Sequence, residues 1–179
     1  DMSALPCDGG ADAVVFCDAD DVLTAEAIGA HAATLTSADV SVGDLVPVDA
    51  AGAVLGPAMF GAALPEAIDA GALADRNYCG FSNTAARAYV LERLPDRLAD
   101  VVAVDWFVFA ALADVGATMR VTRAPVALYR QHGANTLGAG PAVSVADARR
   151  RLLIVAAHHR ARGDDARAAR AERLAAEPE

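Results

Sequence analysis

The sequence predicts a domain of the α/β class, and three observations lead to this prediction. An apolar run at residues 13–17 is typical of a short buried strand, and residues 39–48 alternate between apolar and polar side chains as a second strand would. Helical patterns lie between and after these strands, the strongest at residues 104–115. The 179 residues, of which 55% are hydrophobic and 22% charged, suffice for one folded core and exclude a disordered chain.

The first 55 residues predict a strand, a helix and a hairpin. After the strand at 13–17, Thr24 is expected to cap a helix that runs to about Leu35, because apolar residues recur there on one helical face. The strand at 39–48 is followed by a predicted turn at 49–52. Residues 53–55 are expected to return as a short partner strand.

The middle of the chain predicts mainly helices. Residues 62–70 suit a short helix ended by Gly71, and residues 76–82 suit a loop. A second helix is predicted at 83–94, since Pro95 disfavours a helical conformation at the residue before it. The helix at 104–115 is expected to end at Gly116.

The last third predicts one long extended segment and two helices. Residues 117–129 suit a strand near the edge of a sheet, because Pro125 cannot donate a ladder hydrogen bond, and residues 130–141 suit a loop. Ser144 and Asp147 resemble a capping box that opens a helix ended by Gly163, and Asp164 begins the last helix. We therefore expect an α/β domain at 1–140 and a helical extension at 141–179.

Charge is distributed unevenly along the chain. The formal net charge is −9, yet all thirteen acidic residues of the first 75 positions precede Arg76, the first basic residue. All 15 basic residues are arginines, and with eleven acidic residues they give the remainder a charge of +4. An acidic protein repels nucleic acid, so no nucleic-acid partner is expected. The acidic half could hold a divalent cation and the basic half a phosphate, although a solvated surface explains most of these charges.

The cysteines and the hydropathy pattern bear on the cellular location of the protein. Cys7, Cys17 and Cys79 are odd in number and widely spaced, which predicts neither a zinc site nor a redox dithiol. No apolar run approaches the roughly 18 residues of a membrane span. We expect a cytoplasmic protein, with peripheral contact at the inner face of a membrane as the second location. The arginine-rich stretch at 149–162 is a solvated face or a contact for anionic lipid.

Three carboxylates follow the first predicted strand. Asp18, Asp20 and Asp21 stand where ligands bind in open α/β sheets, at the carboxyl end of a strand. Mg²⁺ and Mn²⁺ prefer carboxylate oxygens combined with substrate phosphates. Like charges this close call for a cation to offset them, although one of the three could simply cap the next helix. The cluster predicts a metal site with Asp18 and Asp20 as ligands.

The same segment is also similar to the opening motif of haloacid-dehalogenase-type phosphatases. That resemblance implies Asp18 as the nucleophile and Asp20 as the acid/base. Two departures count against it: Asp21 stands where that family has glycine, and the chain contains no lysine for the phosphate pocket.

Further motifs resemble family 2 glycosyltransferases of the GT-A type, in the order that this family has them. Residues 38–49 with Gly52 resemble the strand and hairpin after the metal motif, and residues 80–87 (GFSNTAAR) resemble the segment opening the acceptor-side helix. Residues 103–107 (AVDWF) resemble the helix that bears the catalytic carboxylate, and residues 128–138 (LYRQHGANTLG) resemble the Tyr-Arg-x-His-x-x-Asn loop. With the acidic cluster they span residues 13–138. One departure is Val104, where the family usually has a second acid.

The resemblance implies a partial GT-A, nucleotide-diphospho-sugar transferase-like fold for residues 1–140 and an inverting, metal-dependent sugar transfer. Asp105 is the implied catalytic base, and Asp18 and Asp20 are the implied ligands of Mn²⁺ or Mg²⁺. The implied donor and diphosphate contacts are Asp18, Arg130 and His132. The implied acceptor contacts are Trp106, Ser82 and Asn83. The expected partners are a nucleotide-sugar donor and a sugar, glycan or lipid-linked acceptor.

The family's domain begins with βαβ units that bind the nucleotide, and residues 1–12 are too few to form one. We therefore expect the chain to lack the nucleotide-binding half, to turn over little alone, and to associate with itself or with a partner chain that completes the sheet. A non-catalytic remnant serving as a binding domain is the alternative from another class, beside the phosphatase.

Overall fold

The structure, a computed structural model, describes residues 12–94, 101–131 and 144–177. It is a mixed α/β fold, as the sequence predicts. The strands in these ranges are β1 (Ala13–Val15), β2 (Val22–Leu23), β3 (Val40–Val48), β4 (Ala67–Ile68), β5 (Thr84–Arg87) and β6 (Met119–Arg130). The α-helices are α1 (Ala27–Leu35), α2 (Ala70–Asp75), α3 (Ala88–Leu91), α4 (Val104–Asp114), α5 (Val145–Ala161) and α6 (Asp165–Ala176).

The described strands form one sheet in the order β1-β5-β3-β6-β2, with β4 pairing to β6 as well. Strand β5 is antiparallel to both β1 and β3, and β3 is parallel to β6. Strands β1, β3 and β6 therefore point the same way. The carboxyl ends of these three strands lie at the same end of the sheet, together with the loop that leads into β5. Ligands bind at the carboxyl ends of strands in open α/β sheets.

Helix α1 covers one face of the sheet. Its buried His31 places Nδ1 2.9 Å from Oγ of Ser41 on β3. Because successive side chains of a strand point to opposite faces, Val40 and Val42 face away from α1. The strand predicted at 39–48 is confirmed, and its alternation marks which side chains face α1 and which face the main core.

The main hydrophobic core lies on the other face, between the sheet and helices α2 and α4. Val42 belongs to this core together with Leu73 of α2 and Phe109 of α4, and all three are fully buried. The helix predicted at 104–115 is confirmed as Val104–Asp114. Gly116, with φ of 82°, follows it in the left-handed conformation that favours glycine.

The two C-terminal helices begin where their caps predict. Ser144 Oγ accepts a hydrogen bond from the Asp147 nitrogen at 3.1 Å, and Asp164 Oδ1 accepts one from Arg167 at the start of α6. Gly163 separates the helices with φ of 75°. Among the described residues, no helix combines the length and the apolar character that crossing a bilayer requires.

The helix predicted at 62–70 is wrong. That segment contains Pro65, which cannot continue a helix, and forms a short 3₁₀ turn (Gly61–Ala63) followed by β4. Helix α2 begins only after Asp69, whose Oδ1 accepts a hydrogen bond from the Ala72 nitrogen at 2.8 Å. Gly71 therefore lies in the first turn of a helix and does not end one.

The helix predicted at 83–94 is wrong over its first part, which forms β5, while α3 occupies only Ala88–Leu91. Ala85 and Ala86 are completely buried between β1 and β3, so strand pairing overrides the helical propensity of alanine.

Two smaller expectations need correction, and a third is confirmed. Thr24 does not cap α1; its hydroxyl donates to the Pro125 carbonyl at 2.9 Å, and α1 begins at Ala27. The strand containing Pro125 lies near an edge, as predicted, because β6 is next to the edge strand β2, and Pro125 lies between the β6 residues that pair with β4 and those that pair with β2. The ladder shifts register between Val42 and Asp44, beside Pro125. Residues 53–55 form only a single bridge between Val54 and Val48.

Candidate functional site

The acidic loop, residues 18–21, follows β1 and is tied to the loop before β5. The Asp21 nitrogen donates to the Asp18 carbonyl at 3.2 Å, which closes the loop into a turn. The Asp18 nitrogen donates to Ser82 Oγ at 3.1 Å, and the Ser82 hydroxyl donates to Asp18 Oδ2 at 3.3 Å. The structure thus brings together Asp18 and Ser82, two residues that the sequence assigns to one site.

The electrostatics of the acidic loop disfavour negative charge. Burial is the main reason that the pKa of Asp18 lies above its ordinary value; Ser82 opposes the shift, while Asp21 and Asp20 add to it. Burial likewise raises the pKa of Asp21, against hydrogen bonds from Ser82 and from the Arg130 nitrogen. A cation or a donor group entering this loop would relieve the repulsion among the three carboxylates.

Arg130 ends β6 and joins the acidic loop to the hairpin after β3. Its backbone nitrogen donates to Asp21 Oδ1 at 2.7 Å, and its Nε donates to the Asp20 carbonyl at 2.8 Å. Its Nη1 donates to the carbonyls of Asp49 and Ala50 at 3.1 and 2.6 Å. The predicted diphosphate-binding arginine therefore lies beside the predicted metal ligands and fixes the loops around them.

The segment between α2 and β5, residues 77–83, forms the floor of the site and is held by Asn83. This side chain is completely buried; its Nδ2 donates to the Gly43 and Tyr78 carbonyls, and its Oδ1 accepts from the Gly80 nitrogen at 2.7 Å. Asn83, predicted as an acceptor contact, thus has its amide engaged inside the protein. Ser82, at its side, is the residue of the pair that faces the acidic loop.

Asp105 lies in the first turn of α4 and borders the same floor. The Gly80 backbone passes near the Asp105 side chain, since a Cβ added at Gly80 would stand 3.7 Å from Asp105 Oδ2. Burial raises the pKa of Asp105; hydrogen bonds from the Trp106 nitrogen and from Asn77 oppose the shift, and the charge of Asp18 adds to it. The predicted base is therefore half-buried, and the charge of the predicted metal ligand Asp18 acts on it.

Trp106 is placed away from the floor of the site. Its side chain is 2% exposed, its Nε1 donates to the Leu73 carbonyl at 2.6 Å, and its ring stacks on His158 of α5 with centroids 3.9 Å apart. The structure does not bring this ring to the surface that the predicted acceptor wall requires. Trp106 instead joins α4 to the C-terminal helices.

The donor set suits a cation that shares its coordination with a ligand. Asp18 and Asp20 each offer a carboxylate, and Asp20 is exposed at the tip of the loop. Among the described residues, no group of three or more His, Cys, Asp or Glu side chains has the geometry of a metal site. Two carboxylates completed by phosphate oxygens and water are the arrangement that Mg²⁺ prefers, so the residues present fit the predicted ion in that form.

Sequence reasoning missed two residues that shape the site. Asp44, within β3, is buried and accepts hydrogen bonds from the nitrogens of Leu45, Phe60 and Gly61, which fixes the segment above the sheet. An acid inside an apolar strand was the available signal. Asn77, which contacts Asp105, lies in a segment without periodicity, so no sequence signal marked it. The predicted donor contact His132 lies outside the described residues.

No family model matches the chain, and no curated protein was found to match it. Function is therefore inferred from the chemistry of the site itself.

Proposed function

We propose that this protein transfers a sugar from a nucleotide-sugar donor to a hydroxyl acceptor, with inversion at the anomeric carbon and with a divalent cation. The observation that carries the proposal is the convergence of Asp18 and Asp105 on one short segment. Ser82 binds Asp18, and Asn77, five residues before it, donates a hydrogen bond to the carboxylate of Asp105. A carboxylate suited to a cation and a carboxylate that can take a proton thus contact the same short segment.

We further propose that the sheet is the carboxyl-terminal part of a GT-A-type domain. The motifs at 18–21, 80–87, 103–107 and 128–131 are far apart in sequence, and each contributes one residue to the region after β1: Asp18, Ser82, Asp105 and Arg130. This common location supports the resemblance, because motifs that matched the family only by chance would not be expected to lie close together in the fold.

On the donor side, Asp18 and Asp20 would hold the cation. When bound, the ion neutralises the negative charge that develops on the departing diphosphate. Arg130 holds the acidic loop and the hairpin after β3 together by donating hydrogen bonds to the Asp20 and Asp49 carbonyls. Its guanidinium has the shape that suits phosphate oxygens and lies beside Asp20, one of the two proposed cation ligands.

On the acceptor side, Asp105 removes the proton of the attacking hydroxyl. A bond forms between the acceptor oxygen and the anomeric carbon, the bond from that carbon to the diphosphate oxygen breaks, and the diphosphate leaves with the electron pair. The hydroxyl proton moves to Asp105. Its position at the amino end of α4 favours the ionised carboxylate that accepts this proton.

Calorimetry with nucleoside diphosphates and Mn²⁺ tests the donor half of this proposal. The full-length protein is used. We expect uridine or guanosine diphosphate to bind more tightly with Mn²⁺ than without it, and Asp20→Asn to remove that difference. Asp12→Asn, the same change at an exposed position before β1, serves as the control and should leave it intact.

Binding that ignores both the metal and Asp20→Asn would contradict the donor site. Metal-dependent binding without any sugar transfer, over a broad panel of donors and acceptors, would favour the non-catalytic binding domain.

A further inference from the structure

Asn77 contacts the predicted base from the segment that follows α2. Its Nδ2 donates to Asp105 Oδ2 at 3.3 Å, and its Oδ1 accepts a hydrogen bond from the Cys79 nitrogen at 3.0 Å. The side chain is half-buried, so bulk water competes only in part for these two contacts.

The Cys79 nitrogen settles which way the Asn77 amide points. A backbone N–H can only donate, so the Asn77 atom facing it is the oxygen. The NH₂ group must then face Asp105. Because this group can only donate, it binds Asp105 Oδ2 best when that oxygen carries negative charge.

We propose that Asn77 is a positioning residue that holds Asp105 in one orientation and keeps it ionised. This inference rests on the proposed function, in which Asp105 is the base. The other oxygen, Oδ1, accepts from the Trp106 nitrogen at 2.7 Å. Trp106 donates through its backbone and Asn77 through its side chain, so a side-chain substitution can remove the Asn77 donor.

The surroundings explain why a second donor matters. Burial raises the pKa of Asp105, the charge of Asp18 raises it further, and the buried thiol of Cys79 also interacts with this carboxylate. Hydrogen bonds to the charged form act in the opposite direction. Asn77 therefore counteracts a protonation that would leave Asp105 unable to accept the hydroxyl proton.

Asn77→Asp distinguishes the effect of Asn77 on the Asp105 carboxylate from its effect on the structure of the segment 77–83. The new side chain keeps an oxygen for the Cys79 nitrogen, but it replaces the donor facing Asp105 with a second carboxylate. We expect the pKa of Asp105 to rise by about 1 or more, as for neighbouring carboxyl groups in general. Asn77→Ala, which deletes the donor and the acceptor for the Cys79 nitrogen without adding a charge, should raise it less. Tyr78→Phe changes the adjacent side chain and leaves both Asn77 contacts, so it should leave the pKa unchanged.

The measurement is the ¹³C carboxyl shift of labelled aspartates against pH, with the Asp105 signal assigned by its loss in Asp105→Asn. The double variant Asn77→Asp/Asp105→Asn isolates the titration of the new carboxyl. Circular dichroism establishes that each variant is folded. An Asp105 pKa that is the same in Asn77→Asp, Asn77→Ala and the unaltered protein would overturn the inference.

This readout does not need enzymatic activity, so the two proposals fail separately. A raised Asp105 pKa in a protein that transfers no sugar would support the positioning by Asn77 and contradict the function. Where sugar is transferred, the acidic limb of the pH–rate profile should move to higher pH in Asn77→Asp. An acidic limb that stays in place would overturn the role of Asn77 and leave the function standing.

Discussion

The hydroxyl of Ser82 binds both the backbone nitrogen and the carboxylate of Asp18, at 3.1 and 3.3 Å, although 64 positions separate the two residues. Ser82 itself is 2% exposed, so the contact is shielded from water on one side. It joins the end of β1 to the start of β5 and sets the position of the whole acidic loop.

Replacing this hydroxyl should cost stability and weaken the donor site together. Ser82→Ala leaves the Asp18 nitrogen without its partner, which costs about 1–3 kcal/mol for a buried donor. Since Asp18 is partly exposed, we expect the lower end of that range in urea denaturation, and a weaker metal-dependent affinity for nucleoside diphosphate. Ser37→Ala, at an exposed serine after α1, is the control and should change stability by less than about 0.5 kcal/mol. Equal effects of the two substitutions would mean that Ser82 does not organise the loop.

Two buried histidines predict a loss of stability in mild acid. Burial lowers the pKa of His31 to about 4, and burial together with Arg162 and His159 lowers that of His158 to about 3. Below about pH 6.5 the unfolded chain binds protons that the folded chain cannot bind. The stability that these neutral side chains contribute is therefore complete above pH 6.5 and is lost as the pH falls toward 4. We expect the melting temperature to fall steadily over this interval.

His158→Phe tests the source of that loss. Phenylalanine retains a ring to stack on Trp106, and within the described residues neither ring nitrogen of His158 has a hydrogen-bond partner to lose. The variant should melt within a few degrees of the unaltered protein at pH 7.5 and should lose less stability between pH 6.5 and 4. An identical acid profile would show that His158 is protonated in the folded state or does not contribute.

The phosphatase alternative has a distinct chemical signature. A phosphatase of that type forms an aspartyl-phosphate at Asp18, hydrolyses p-nitrophenyl phosphate and traps fluoroberyllate on the nucleophile. Two departures from that family count against this activity: Asp21 stands where the family has glycine, and the chain contains no lysine for the phosphate pocket. We expect neither activity nor a fluoroberyllate signal in ¹⁹F spectra. Hydrolysis of p-nitrophenyl phosphate or a fluoroberyllate signal that Asp18→Asn abolishes would favour the phosphatase over sugar transfer.

Much of the fold could be predicted from local patterns. Strand β3 alternates in sequence, helix α4 is an apolar segment ended by Gly116, and Ser144 and Asp164 cap α5 and α6 through contacts within one turn, which sequence spacing determines. Strand β5 could not be predicted this way. Its alanines favour a helix locally, and only the neighbouring strands β1 and β3 make the extended form stable.

The site could be predicted in part. Asp18 was recognised because carboxylates after a buried strand have few structural roles, and Ser82, Asp105 and Arg130 followed from motif resemblance. Their proximity depends on strand order, which no local pattern contains. The inward orientation of Trp106 depends on α5, a distant element, and its burial could not be read from the residues around it.

The most direct test of sugar transfer compares Asp105→Asn with the unaltered protein. Release of nucleoside diphosphate would be followed over a panel of nucleotide sugars with Mn²⁺ and hydroxyl acceptors, using the full-length protein. The substitution is nearly isosteric, so donor binding should stay close to normal while turnover falls by about 10²- to 10⁴-fold, the usual contribution of general-base catalysis. Asp114→Asn, at the far end of the same helix, should keep full turnover. An Asp105→Asn variant that retains most of its turnover would contradict the assignment of Asp105 as the base.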